Sequence, residues 1–100
     1  MIRIYISGPI SGYDTEERKA AFAAAENELK GMLKCVVVNP MKDQPEGWTW
    51  EEYMERDLEL VETCDLMVML PGWEASRGAV IERRRAEELG MVAVELEEKG

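Results

Sequence analysis

Apolar residues fall along this chain in two rhythms. Four short runs, Ile2 to Ser7, Cys35 to Val38, Asp65 to Leu70 and Met91 to Leu96, have the length and the β-branched content of strands. Between them lie longer polar stretches in which apolar residues recur at helical spacing. Phe22, Ala25, Leu29, Met32 and Leu33 form one stripe, predicting a helix from Thr15 to Leu33. Trp50, Met54, Asp57 or Leu58, and Val61 form a second, in a helix ending near Thr63. A third helix, from about Ser76 to Leu89, places Ala79, Glu82, Ala86 and Leu89 on one face.

End signals agree with these boundaries. Asp14 with Glu17, and Thr49 with Glu52, have the spacing of capping boxes, and Gly90 stands where a helix C-cap is expected. Gly8-Pro9-Ile10-Ser11-Gly12 and Pro71 to Gly78 read as loops, and Met41 to Gly47 as a polar loop rather than a linker. Strands alternating with helices imply a parallel sheet with right-handed crossovers. The fold expected is α/β, a three-layer flavodoxin- or Rossmann-like single domain over residues 1–100. Its four-stranded parallel sheet takes the order 2-1-3-4, followed by an acidic tail. The order reverses between strands 1 and 3, so the loops after them face each other across one crevice.

Within that frame Glu82 stands out. A carboxylate on the small, apolar face of a helix is costly unless it is partnered or used. One reading is an ion pair with Arg77 or with one of Arg83, Arg84 and Arg85, although immediate neighbours on a helix point elsewhere. The other is a working carboxylate at the carboxyl edge of the sheet. Asp57 stays open between the inward stripe and a solvated edge. Ser76 is a plain N-cap or a hydroxyl that, with the first N–H groups of its helix, holds an anionic oxygen, and the two uses are compatible. The Gly8–Gly12 loop lacks both G-x-G-x-x-G and G-K-[ST], leaving a tight turn or a close approach to a ligand. Trp48, Trp50 and Trp73 read as packing residues. Trp73, in the crevice loop, could also stack on a planar base, and Tyr5 and Tyr13 carry the same ambiguity. The run Arg83-Arg84-Arg85 reads as a solvated face or a subunit contact.

Composition narrows the chemistry. A net charge of −9 argues against binding a nucleic-acid polymer but leaves room for a small anion held by backbone N–H groups. With no histidine, catalysis would rest on carboxylates, hydroxyls and backbone, and neither a metal nor a cofactor is expected. Cys35 and Cys64, each at the edge of an apolar run, read as reduced core thiols. No signal peptide precedes the first strand and no apolar run is long enough to span a membrane, so a cytoplasmic location is expected.

Three segments carry a family resemblance. Tyr5-Ile6-Ser7-Gly8-Pro9-Ile10-Ser11-Gly12, Asp57-Leu58 with Cys64-Asp65, and Ser76-x-Gly78-x-x-x-Glu82-x-x-x-Ala86 resemble, in order and spacing, the motifs of the nucleoside 2-deoxyribosyltransferase-like superfamily. In style the chain is similar to its 2′-deoxynucleoside 5′-phosphate N-hydrolases and to a small phage and bacterial branch with a stretch like Pro71 to Ala79. The resemblance implies that Glu82 attacks C1′ of a 2-deoxyribosyl group while Asp57 positions the substrate and protonates the departing base. Water or a second base then resolves the glycosyl-enzyme. Tyr5, Ser7, Gly8, Pro9, Ile10, Ser11, Trp73, Ser76 and Gly78 would bind the substrate. Where nucleoside transferases carry an acidic residue this chain has Ser76, which suits a 5′-phosphate and points to a deoxynucleoside monophosphate. In the family a later region and a neighbouring subunit complete the site, so a homodimer or higher homo-oligomer is expected. The rival readings are a non-catalytic nucleotide-binding or regulatory module and an oligomeric accessory protein.

Overall fold

The computed structural model describes residues 1–97. Its elements are β1 (Ile2–Ser7), α1 (Thr15–Met32), β2 (Cys35–Val38), α2 (Trp50–Glu62), β3 (Leu66–Met69), a single 3₁₀ turn (Trp73–Ala75), α3 (Arg77–Glu88) and β4 (Val92–Glu95). The strands pair in parallel in the order β2-β1-β3-β4, the α/β arrangement expected. The acidic tail beyond Glu97 lies outside the described residues.

β1 is the central strand, and its pleat distributes the core. Ile4 and Ile6 face α1, where they join Phe22, Ala25, Leu29 and Val68. Tyr5 lies with Val61, Met67, Met69, Ala79 and Ala86, so it faces α2 and α3. Ser7, two residues on, shares Tyr5's face and reaches α3, and both are fully buried. Ser7 pairs in register with Met69, and the Leu70 N–H donates to the Ser7 carbonyl at 2.8 Å. The loops leaving β1 and β3 therefore start side by side.

Local signals set the helix ends. At α2 the Glu52 N–H donates to Thr49 Oγ1 at 3.1 Å and the Thr49 N–H donates to Glu52 Oε1 at 3.0 Å, a complete capping box. At α1 one arm of the expected box forms, the Glu17 N–H donating to Asp14 Oδ1 at 3.1 Å. α3 ends with Gly90 N–H on the Glu87 carbonyl at 3.0 Å and Met91 N–H on the Ala86 carbonyl at 2.8 Å, a Schellman pattern.

The stripe expected on α1 needs correction. Met32 is 70% exposed and Leu33 40%, because the helix outruns the apolar cluster it packs on, whose last α1 member is Leu29. Arg18 and Glu26 are buried instead, and both are satisfied. Arg18 Nε donates to the Pro9 carbonyl at 2.6 Å, fastening the first loop to α1. Glu26 accepts from Lys30 Nζ at 2.6 Å and Asn39 Nδ2 at 3.2 Å, fastening the loop after β2. Leu89 is likewise half-exposed beyond the last buried turn of α3.

The crossing of β1 into its loop requires glycine. A Cβ on Gly8 would lie 2.8 Å from Leu70 Cβ, an atom tied directly to the neighbouring chain. Gly8→Ala is therefore expected to lower stability by about 1–3 kcal/mol. Gly31, exposed near the end of α1 with nothing around its Cβ position, gives the opposite sign: Gly31→Ala should raise stability by about 0.5–1 kcal/mol. Urea unfolding midpoints of the two variants check both.

Candidate active site

A cavity of about 280 Å³ opens where the β1 and β3 loops meet. The first loop contributes Gly8, Ile10, Ser11 and Tyr13; α2 contributes Trp50, Tyr53, Met54 and Asp57; the entry to α3 contributes Ser76, Arg77, Gly78 and Glu82. Gly78 lets α3 approach α2, since a Cβ there would press on Met54 Sδ at 3.2 Å. Ser76 caps α3, its Oγ accepting from the Ala79 N–H at 3.2 Å, and its hydroxyl proton remains free to donate.

Glu82 lies at the cavity wall, 5% exposed. Both its oxygens are held from β1: the Tyr5 hydroxyl donates to Oε2 at 2.7 Å and the Ser7 hydroxyl to Oε1 at 2.6 Å. Asp57, 4% exposed, approaches from α2, and the two carboxyls share a hydrogen bond. That resolves the Asp57 ambiguity in favour of the inward stripe. The ion pair considered for Glu82 does not form. Arg77 lies over the Trp50 ring at 4.4 Å, Arg83 over Trp73 at 4.6 Å, and Arg85 bonds Glu62.

Burial, reinforced by the neighbouring Asp57 carboxylate, pushes Glu82 up to about 8, against the hydrogen bonds from Ser7 and Tyr5. Burial likewise pushes Asp57 up to about 6, opposed by Arg56, whose guanidinium stands 3.4 Å away, and by the bond to Glu82. The two values belong to the pair, which carries one proton between about pH 6 and pH 8. Burial and the charges of Glu82 and Asp57 hold the Tyr5 hydroxyl well above its ordinary range, so it remains a donor.

The residues singled out in the sequence divide into three groups. Glu82, Asp57, Gly8, Ile10, Ser11, Ser76 and Gly78 line the cavity. Tyr5 and Ser7 stand behind it and hold Glu82. Pro9 is buried, with its carbonyl on Arg18, and Trp73 lies off the cavity, its Nε1 donating to Glu95 Oε1 at 2.8 Å. Neither lines the cavity. Trp50, Tyr53, Met54 and Arg77 were not singled out as site residues. Trp50, Tyr53, Met54 and Asp57 follow i, i+3, i+4, i+7 spacing, and that pattern is the same whether a helix faces a core or a cavity. Among the described residues no group of three or more His, Cys, Asp or Glu side chains could hold a metal, and no helix is long and apolar enough to cross a membrane.

Residues 2–95 match the model of a family described as Domain of unknown function (DUF4406), and the chain belongs to that family. No curated protein gives a significant match. Among solved structures the fold is similar to that of a 2-desoxiribosyltransferase from Leishmania mexicana, with a TM-score of 0.71 at 20% identity. The alignment covers 96% of this chain and 64% of that one, so this chain spans just under two thirds of that protein's length. The four-stranded parallel sheet in the order β2-β1-β3-β4 is the deoxyribosyltransferase fold.

The raised pair has a consequence for stability. A carboxyl whose folded pKa lies above its unfolded value is stabilising only while protonated. Its favourable contribution is full below the unfolded value, near 4.5 for Glu82, and is lost as pH rises through the folded value of about 8. Glu82→Gln removes the ionisation and keeps the shape. It should raise Tm by at least ~4 °C at alkaline pH, with the gain shrinking toward acid pH. Thermal melts of both proteins across pH 5–9 check the sign; equal melting at every pH would contradict it.

Proposed function

We propose that the protein cleaves the base–sugar bond of a 2′-deoxynucleoside 5′-monophosphate, as an N-hydrolase or a 2-deoxyribosyltransferase. The observation that carries this reading is the pair of buried carboxyls, Glu82 and Asp57, sharing a hydrogen bond beside a cavity rimmed by aromatic and hydroxyl groups. The deoxyribosyltransferase named among the solved structures supports it through a common fold.

The shared proton gives the pair its chemistry. Moving it from Glu82 to Asp57 produces a carboxylate nucleophile and a carboxylic acid in one step. Tyr5 and Ser7 favour that transfer by donating to both oxygens of ionised Glu82. Glu82 then attacks C1′, the C1′–N bond breaks, and the departing base takes the proton from Asp57. The resulting glycosyl ester is opened at C1′ by water, or by a second base, whose proton passes to Asp57. Atoms and charge return to the starting state. Gly8, Ile10 and Ser11 of the first loop, with Ser76 and Gly78 at the α3 N-terminus, bind the sugar phosphate.

Incubation with each deoxynucleoside monophosphate should release free base, and Glu82→Ala should lose at least ~10³-fold in kcat, as expected for removal of a covalent nucleophile. Nucleotide-dependent thermal stabilisation with no base release from any substrate would instead favour a non-catalytic binding module. The active form of the pair is singly protonated. The rate should therefore fall below about pH 6, where the nucleophile is neutralised, and above about pH 8, where the acid is lost. A pH–kcat profile with two flanks checks this, and a flat profile over that range would refute the shared-proton scheme.

A further inference from the structure

The cavity carries one charged group that this chemistry does not use. Arg77 is the single cationic side chain among the residues lining it. Its guanidinium lies 4.4 Å from the centroid of the Trp50 ring and pairs with no carboxylate among the described residues. By contrast Arg56 leans on Asp57, Arg83 on Glu87, and Arg85 on Glu62 and Glu88. Arg77 is thus a cation without an acidic partner placed at a cavity that also holds two carboxyls.

The geometry points to Arg77 as the residue that makes the cavity select a phosphorylated ligand over the matching nucleoside. This rests on the proposed nucleotide substrate and assigns its anionic end. Arg77 is the first residue of α3, immediately after the cap Ser76, so its charge adds to the N–H groups and hydroxyl of the same helix end. Trp50 is the first residue of α2. The Arg77–Trp50 contact thus joins the starts of the two helices that carry Asp57 and Glu82. Among the described residues the Arg77 guanidinium forms no ion pair, and a guanidinium can engage two phosphate oxygens at once. The ring also limits the directions the long side chain can take, reducing the ordering cost of binding. Electrostatically the arrangement offsets the two carboxyls, which alone would repel a phosphate from this cavity.

The test is the ratio of kcat/KM for a deoxynucleoside monophosphate to that for the same deoxynucleoside. Arg77 is exposed, so substitutions there should fold. Arg77→Gln should lower the ratio on the order of 10- to 100-fold, through KM, as for loss of a charge-assisted hydrogen bond. Arg77→Lys should regain part of it, and Trp50→Leu should lower it less. Inorganic phosphate should compete with the monophosphate for the parent protein and much less for Arg77→Gln. An unchanged ratio in Arg77→Gln with base release intact overturns the assignment and leaves the proposed reaction standing. If the parent protein releases no base, calorimetric binding of the monophosphate and the nucleoside decides. A preference for the monophosphate that Arg77→Gln abolishes upholds the assignment while the reaction fails. Equal binding of the two, or no binding of either, overturns it.

Discussion

Glu82 and the two hydroxyls that meet it organise this molecule. Its carboxyl is brought under the sheet by α3 and received by Tyr5 and Ser7, alternate residues of the central strand β1. That contact joins residues 75 and 77 positions apart in sequence. It works only if β1 lies in register with β3 and the turn after β3 delivers α3 to the same edge of the sheet. A one-residue slip of β1 would turn Tyr5 and Ser7 to the α1 side and leave a buried carboxyl without donors.

The arrangement works against stability. Two carboxyls in one buried place would be a poor structural choice, since an apolar pair of similar volume would pack without the desolvation penalty. The protein tolerates them through neutral donors on Glu82 and an ion pair of Arg56 with Asp57. The other buried charges follow a different logic. Glu26 is held by Lys30 and Asn39 and sits below its ordinary pKa despite burial. The contrast separates a carboxylate used as a rivet from a pair kept short of full ionisation. The raised affinity for a proton, spread over two groups, is also what acid–base and nucleophilic work near neutrality require.

Much of this was legible in the chain. Strand runs, capping residues and helical spacing located the elements within a residue or two, and alternation of strand and helix implied the parallel sheet and its crevice. Glu82 was legible because a carboxylate among Ala79 and Ala86 breaks the pattern of its own helix face. Asp57 was half legible, since it borders Leu58 and periodicity alone puts either one inward. Trp73 shows the reverse case: its loop forms the crevice, but its ring turns away to Glu95 and Arg83. Trp50 and Met54 were read as packing because a stripe marks what is turned from solvent, and a cavity wall is turned from solvent as much as a core is.

The division has a physical origin. Strand pleat, helical pitch, caps and turns are short-range consequences of covalent geometry and local hydrogen bonding, so the sequence by itself determined the elements, their order and the crevice where chemistry would lie. Which residues meet across that crevice depends on contacts between distant segments. The hold of Tyr5 and Ser7 on Glu82, the approach of Asp57 to it, and the contact of Arg77 with Trp50 each need two elements at a set distance. Only the packed structure sets those distances, because burial, which raises both carboxyls and strengthens every hydrogen bond to them, exists only once the layers have closed.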